Sequence, residues 1–277
     1  YLELKNIGAQ AMDLAGIQFT EGVHFTFGAM TLEPGEYVLV VKDIDAFNAR
    51  YDPTGAIGYS IAGAFIDDTS LGNGGDDLIL KDPLGFTIHD FQYSDGWFPH
   101  TDGDGFSLIV RDATQDVDLW DAKDGWRASW ASHGNPGQAD PSTVGPGDVV
   151  LNELLAHSAD PLDPDGDWVE LKNTTGSAID ITGWFLSDDP DNLLKYKIGT
   201  AAPASIDGGG FVVFTETANF GDTAADPGRL VPFAFSEFGD VVGDALYLTS
   251  SPDGIHAGGY REDEFFGPSL GDVSFGR

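Results

Sequence analysis

The strongest constraint on the fold of this chain is that one stretch of its sequence occurs twice. YLELKN at residues 1–6 returns as WVELKN at 168–173, and AMDLAG at 11–16 aligns without a gap with AIDITG at 178–183. This spacing is far longer than a solenoid repeat, which buries its apolar face only by stacking on its neighbours. The sequence therefore predicts two copies of one domain, each with its own core.

The correspondence extends beyond this first match. LEPGEYVLV at 32–40 aligns with IDGGGFVVF at 206–214, in both cases a glycine-containing turn followed by a short apolar strand. Two further aligned pairs lie later in the copies, a strand at 75–80 and 243–248 and an expected closing strand at 106–108 and 273–275. The two copies are thus expected to share most of their strands.

Short apolar runs dominate both copies. They are rich in Val, Ile, Leu, Phe and Tyr and bounded by Gly, Asp, Pro or Asn, a pattern typical of short strands. With 277 residues, 37 Gly and 15 Pro, the chain is long enough for two domains. The predicted class is an all-β protein of antiparallel sandwiches. Helical candidates are limited to 43–51, 118–123 and a turn at 189–193.

The charge balance excludes some partners. There are 13 basic and 46 acidic side chains, a formal net charge of −33. Direct nucleic-acid binding is not expected, because it needs clustered Lys and Arg. A strongly acidic surface often simply keeps a protein soluble. The chain has no cysteine, which excludes disulfides and thiolate sites, and no membrane span of roughly 20 apolar residues is predicted.

These motifs resemble the lamin tail domain family. The second copy carries VVLNEL at 149–154, then WVELKN and IDITGWFLS at 179–187, while WRAS at 126–129 and GNPG at 134–137 look like the tail that follows bacterial members. The resemblance implies two tandem immunoglobulin-like antiparallel β-sandwiches. The expected domains are residues 1–140, without a first strand, and 141–277.

The first copy has no counterpart of the strand predicted at 149–154. The chain begins within the first repeated strand, at Tyr1, which suggests a segment of a longer protein. Without a covering strand, that edge would leave backbone groups without partners. Residues outside the segment, the other copy or another chain could cover it, and strand exchange between chains would produce a dimer.

An acidic loop is the best candidate for a metal site. Asp160, Asp163, Asp165 and Asp167 are closely spaced around a glycine turn and could wrap a calcium ion, although the EF-hand spacing is missing. The alternative is a solvated loop before the strand at 168. Weaker acidic groups occur at 102–105 and 188–191.

Tryptophans suggest a binding surface in the first copy. Trp97, Trp120 and Trp126 lie close in sequence, and aromatic rings near loops can stack on sugars or anchor a protein. The alternative is that they pack the end of the sandwich or a seam between domains.

No catalytic constellation is evident. The six histidines show no zinc spacing, and GYSIA at 58–62 departs from a serine elbow. The resemblance implies a noncatalytic adhesion, scaffold or targeting module of a larger exported bacterial protein, extracellular or at the cell surface, whose partner is a protein or a cell-surface glycan. A carbohydrate-binding module with an exposed, coplanar tryptophan set and a calcium-dependent hydrolase are the alternatives.

Overall fold

The computed structural model describes residues 1–142, 144–156, 165–235, 244–267 and 272–277. Nearly all regular elements are β-strands, and nearly all strand pairs are antiparallel, so the predicted fold class is confirmed. The chain divides into two compact units. Unit 1 comprises Tyr1–Ala128 and His133–Pro141, and unit 2 comprises Ser129–Ser132 and Ser142–Arg277.

Unit 1 contains strands, one α-helix and short 3₁₀ helices. The strands are β1 (Leu2–Lys5), β2 (Met12–Asp13), β3 (Gln18–Glu21), β4 (Phe25–Thr26), β5 (Thr31–Leu32), β6 (Tyr37–Val41), β7 (Ile61–Ala64), β8 (Asp76–Lys81), β9 (Thr87–Tyr93), β10 (Leu108–Val110) and β11 (Trp126–Ala128), and the helix is α1 (Ile44–Tyr51). The 3₁₀ helices span Asp95–Trp97, Pro99–Thr101, Val117–Asp121 and Lys123–Gly125.

Two sheets of unit 1 enclose its core. One has the strand order β1-β6-β7 and the other β4-β3-β8-β9, while β2–β5 and β10–β11 form two-stranded ribbons. Inward residues of both sheets, such as Val38, Val40, Phe19 and Leu78, are buried together. The β6–β7 pair is parallel, whereas the other pairs of this unit are antiparallel.

The predicted helix at 43–51 is confirmed as α1. The Asp43 carboxylate caps its first turn by accepting from the Ala46 N–H at 2.8 Å. Phe47 is buried against the outer side of β6, where it joins a small cluster with Leu39 and Val41. The second helical candidate, at 118–123, overlaps the 3₁₀ helix Val117–Asp121, whose first turn is capped by Asp116.

Unit 2 contains the second set of strands. These are β12 (Val149–Leu155), β13 (Trp168–Asn173), β14 (Ile179–Asp180), β15 (Phe185–Ser187), β16 (Tyr196–Lys197), β17 (Ser205–Ile206), β18 (Phe211–Thr215), β19 (Asp244–Thr249), β20 (Arg261–Phe266) and β21 (Phe275–Gly276). Two sheets, ordered β18-β13-β12-β21 and β16-β15-β19-β20, pack around Trp184, Leu171 and Leu246, and β14–β17 forms a ribbon. A single π-helical turn spans Glu216–Phe220.

The closing strands differ from the prediction. In unit 1 the strand begins at Leu108 and pairs with β11, so 106–107 are not part of it. In unit 2 the strand is Phe275–Gly276, and it pairs with β12. The pairing partner of a short terminal strand is decided by tertiary contacts, which a local pattern does not contain.

A buried asparagine holds the same turn in both units. Asn6 is 1 % exposed, and its Nδ2 donates to Gln10 O and Leu32 O while its Oδ1 accepts from Gly8 N. Asn173 is fully buried and makes the corresponding bonds to Ser177 O, Ile206 O and Thr175 N. The repeated sequence therefore corresponds to a repeated set of hydrogen bonds.

A second pair of matched residues caps the following turn. The Asp13 and Asp180 carboxylates accept from the backbone N–H two residues later, at 2.9 and 2.8 Å. The turn ends at Gly16 and Gly183, whose φ angles of 79° and 85° favour glycine. Asp180 therefore caps its turn as Asp13 does in unit 1.

Candidate functional site

The predicted tryptophan surface of unit 1 is a packed cluster. Trp126 is only 7 % exposed, and its Nε1–H donates to Trp120 O at 2.8 Å. Trp97 and Trp120 are partly exposed, with ring centroids 6.3 and 5.7 Å from the Trp126 ring. The structure therefore corrects the prediction that Trp126 is exposed on a binding surface. Its ring fills the interior of the cluster instead.

The rings do not form a flat platform. The Trp120 and Trp126 planes meet at 77°, and one face of Trp120 is stacked on His89 with 4.6 Å between centroids. Burial lowers the pKa of His89, which keeps the stacked imidazole neutral at neutral pH. A sugar-binding platform needs open aromatic faces, so this geometry favours packing for Trp120 and Trp126.

The predicted calcium loop is described only in part. Asp160 and Asp163 lie outside the described residues, whereas Asp165 is exposed and Asp167 is 7 % exposed. The Asp167 Oδ2 accepts from the Phe235 N–H at 2.6 Å, and its backbone carbonyl accepts from Glu216 N at 2.7 Å. Asp167 thus has a role in holding the chain at the start of β13.

The two weaker acidic groups are arranged differently. Asp102 and Asp104 are exposed. Lys195 Nζ lies 2.6 Å from Asp188 Oδ1 and 3.5 Å from Asp189 Oδ2. Burial lowers the pKa of Lys195, but these carboxylates outweigh it and raise the pKa overall. Within the described ranges, no three His, Asp or Glu side chains are grouped to hold a metal ion.

The serine segment at 58–62 has a structural role. Ser60 precedes β7, and its carbonyl accepts from the Leu39 N–H at 2.8 Å. The segment therefore leads into a sheet strand, unlike a serine elbow between a strand and a helix. His24 contacts Asp67 in unit 1, and His256 contacts Asp253 in unit 2, and both pairs are exposed.

Unit 2 exposes apolar side chains on one sheet face. Phe211 and Val213 of β18 are 51 % and 48 % exposed, and they lie opposite Lys172 and Glu170 of β13. Lys172 Nζ lies 5.3 Å from the centre of the Phe211 ring, and Glu170 Oε1 accepts from Asn152 Nδ2 at 2.7 Å. We call these four side chains, Glu170, Lys172, Phe211 and Val213, the outer face of unit 2.

The same face is covered in unit 1. Leu39, which corresponds to Val213, is 1 % exposed because Phe47 of α1 and the neighbours Tyr59 and Ile61 pack over it. The cation–aromatic pair is nevertheless kept, with Lys5 Nζ 5.0 Å from the Tyr37 ring centre. The insertion of α1 and β7 after β6 therefore accounts for the difference in exposure.

Glu3 lies on this covered face of unit 1. Its Oε2 accepts from the Gly137 N–H at 2.5 Å, which ties the segment after β11 to β1. Burial raises the pKa of Glu3 to about 7, against the lowering effects of the Gly137 bond and of Lys5. Glu3 corresponds in the repeat to Glu170, whose carboxylate instead accepts from β12.

The outer face of unit 2 was not among the sites predicted from the sequence. The signal was present, because FVVFT at 211–215 alternates, and its partner strand shows Glu170 and Lys172 on the outward side. What the sequence did not show is that α1 and β7 cover the equivalent face in unit 1. That contrast requires the structure.

Two antiparallel β-sandwich units with matched turns define an immunoglobulin-like β protein. Residues 142–258 match the family described as Lamin Tail Domain. Unit 2, which contains this segment, is therefore a lamin tail domain, and the expected family is confirmed there.

No curated protein and no solved structure matches the chain significantly. In the described part of the chain, no helix has the length and apolar character needed to cross a bilayer.

Proposed function

We propose that this protein is a noncatalytic binding module, which acts in adhesion, scaffolding or targeting as part of a larger exported bacterial protein, outside the cell or at its surface. The observation that carries the proposal is the outer face of unit 2. There Val213 is 48 % exposed, whereas its counterpart Leu39 is 1 % exposed. The lamin tail identity of unit 2 supports it, because many cell-surface domains share this β-sandwich architecture.

The chemistry of this face favours a protein partner. Phe211 and Val213 provide an apolar centre, and Lys172 and Glu170 provide flanking charges of both signs, an arrangement typical of protein interfaces. The net charge of −33 would steer a partner with basic flanks towards the chain.

Unit 1 enters the proposal as a second lamin-tail-like domain. Its Asn6 and Asp13 make the same backbone bonds as Asn173 and Asp180 of unit 2. Its aromatic cluster and its covered face give it a different surface, which suits a supporting domain.

The test uses the full chain, labelled with a fluorophore and titrated onto intact cells of the bacterium that produces it. The variant Phe211→Ser/Val213→Thr removes apolar area from the outer face with little folding cost, because both side chains are half exposed. The matched control, Leu84→Ser/Phe86→Ser, removes exposed apolar side chains of unit 1 that are 83 % and 69 % exposed.

We expect saturable binding that protease treatment of the cells removes. The outer-face variant should bind about tenfold more weakly, since a central apolar contact is worth roughly 1–2 kcal/mol, while the control should bind normally. Loss of binding on periodate treatment instead would indicate a glycan partner. Equal binding of both variants would reject the outer face as the site.

A further inference from the structure

A cleft of about 430 Å³ lies in unit 1 between α1 and the segment that leads into β7. Ile44 and Asn48 of α1 line it, together with Asp52, the residue that follows the helix. These three residues succeed one another at intervals of four, so they lie along one side of the helix. The opposite wall is the segment 55–61, which contributes Gly55, Gly58, Tyr59 and Ile61. We call this space the α1 cleft.

The carboxylate of Asp52 is buried in the wall of the α1 cleft, with only 7 % of the residue exposed. Its Oδ2 accepts from the Gly58 N–H at 2.9 Å and from the Ile57 N–H at 3.2 Å, and its Oδ1 accepts from Ile57 at 3.1 Å. The bond from Gly58 is the largest of the effects that lower the pKa of Asp52, so the carboxylate is charged at neutral pH. In the described part of the chain, no basic side chain forms an ion pair with it.

Three polar groups of the cleft have room for a further hydrogen bond. A carboxylate oxygen can accept two, and Asp52 Oδ1 accepts one. The Asn48 side-chain amide and the Tyr59 hydroxyl make no hydrogen bond to any described residue. Apolar surface lies beside these acceptors, because Ile44 is 40 % exposed and Ile61 is partly exposed.

This arrangement fits an ammonium group better than a guanidinium group. A guanidinium pairs with a carboxylate through two parallel N–H bonds, one to each oxygen, but the Oδ2 of Asp52 already accepts two backbone N–H groups. An ammonium has three separate donors and can reach three separate acceptors. The methylene stem of a lysine can lie along an apolar wall while its charged end is hydrogen-bonded.

The mouth of the cleft leaves space for a polypeptide backbone. At Gly55 and Gly58 an added β-carbon would meet no atom within 4 Å. A chain that inserts one side chain into the cleft can therefore pass outside these two glycines.

We infer that the α1 cleft binds the side chain of a lysine that a partner polypeptide presents. The ammonium is bound by Asp52 Oδ1, by the Asn48 amide oxygen and by the Tyr59 hydroxyl, and the stem lies against Ile44 and Ile61. The net charge of −33 attracts basic segments towards the chain. The cleft belongs to unit 1, so it is tested independently of the outer face of unit 2.

The probe is Nα-acetyl-lysine methylamide, titrated onto the isotopically labelled full chain and followed by NMR. We expect saturable shifts of the Ile57 and Gly58 backbone amides and of the Asn48 side-chain amide, with a Kd of about 1 mM. Nα-acetyl-norleucine methylamide has a similar stem without the ammonium, so it should bind about tenfold more weakly.

Two variants remove acceptors from the cleft. Asp52→Asn removes the charge but keeps an oxygen acceptor, and it should weaken binding of the lysine probe about tenfold. Asn48→Ala should weaken it about fivefold. This second variant breaks no hydrogen bond of the folded chain, so it carries the test if circular dichroism shows that Asp52→Asn does not fold. The matched control is Asp45→Asn, which removes the same charge from an exposed position of α1 outside the cleft and should bind normally.

Three outcomes would overturn the inference. Equal binding of the lysine and norleucine probes would show that the cleft does not recognise the ammonium. An equal loss of binding in Asp45→Asn and Asp52→Asn would assign the interaction to the general attraction of a cation by an acidic chain. Tighter binding of free cadaverine than of the lysine probe would assign the cleft to a small amine instead of a polypeptide side chain.

Discussion

Unit 1 and unit 2 share a β framework but differ at the margins of one sheet. Unit 2 has β12 beside β13, so Leu171 is fully buried, whereas Leu4 at the same position of unit 1 is partly exposed. Unit 1 has β7 and α1 beside β6, so Leu39 is buried while Val213 is exposed. The duplicated domains therefore differ where one of them has an additional strand or helix. An apolar side chain is more exposed in the unit that lacks the additional element.

The largest expected effect tests the shared framework. Asn6→Ala and Asn173→Ala each leave backbone groups of one turn unpaired in the interior, so each should lower the free energy of unfolding of its own unit by about 3 kcal/mol. Urea titration followed by hydrogen exchange in each unit measures the loss. If only one of the two variants is destabilised, the two turns are not equivalent in stability.

The control for this pair is Asn48→Ala in α1. Its side-chain amide makes no hydrogen bond among the described residues, so the change should cost less than about 0.5 kcal/mol. A loss as large as that of Asn6→Ala would show that the assay does not distinguish the buried asparagine from a surface one.

The second prediction concerns the buried carboxylate of Asp167 in unit 2. Asp167→Ala removes the acceptor of the Phe235 N–H and should lower the free energy of unfolding, measured with chelator, by about 2 kcal/mol. Asp167→Asn keeps an acceptor and should lose less. Melting curves with calcium and with chelator compare the variants.

The same curves test calcium binding by the acidic loop. If Asp160, Asp163, Asp165 and Asp167 hold calcium, added calcium raises the melting midpoint of the parent protein, and Asp165→Ala abolishes that rise. A midpoint that does not respond to calcium would assign these carboxylates to solvation and to the bond with Phe235.

The smallest expected effect is the contribution of the Glu3 carboxyl to the pH dependence of unit 1 stability. Burial raises the pKa of Glu3 from 4.5 to about 7, so the folded state binds its proton more tightly than the unfolded state. The contribution of Glu3 to stability is therefore complete below pH 4.5 and is lost as the pH rises through about 7. Glu3→Gln should flatten the dependence of unit 1 stability on pH across this window. An unchanged slope would show that the carboxyl is solvated.

Local features of the fold followed from the sequence. The segment 43–51 was a helical candidate in the sequence, and it contains α1, whose first turn Asp43 caps. The repeat predicted the matched turns around Asn6 and Asn173, and the apolar run at 149–154 predicted β12. Each of these signals lies within a few residues of the structure that it specifies.

The site could be predicted less completely, because its contacts are long-range. The Asp167 carboxylate accepts from Phe235, 68 residues later, and nothing near Asp167 in the sequence indicates that partner. Trp126 is buried by rings from other elements, including Phe91 of β9. The parallel pairing of β7 depends on α1 returning the chain beside β6, which the short segment IAGA does not reveal.

The buried asparagines also bear on how such a domain can change during evolution. A strand held only by an alternating apolar pattern can slip by two residues and keep its inward face. Asn6 and Asn173 remove that freedom, because a slipped strand would bury the amide without its backbone partners. With the register fixed by one polar side chain, insertions after β6 or β18 can vary in length and composition while the first half of the domain stays aligned.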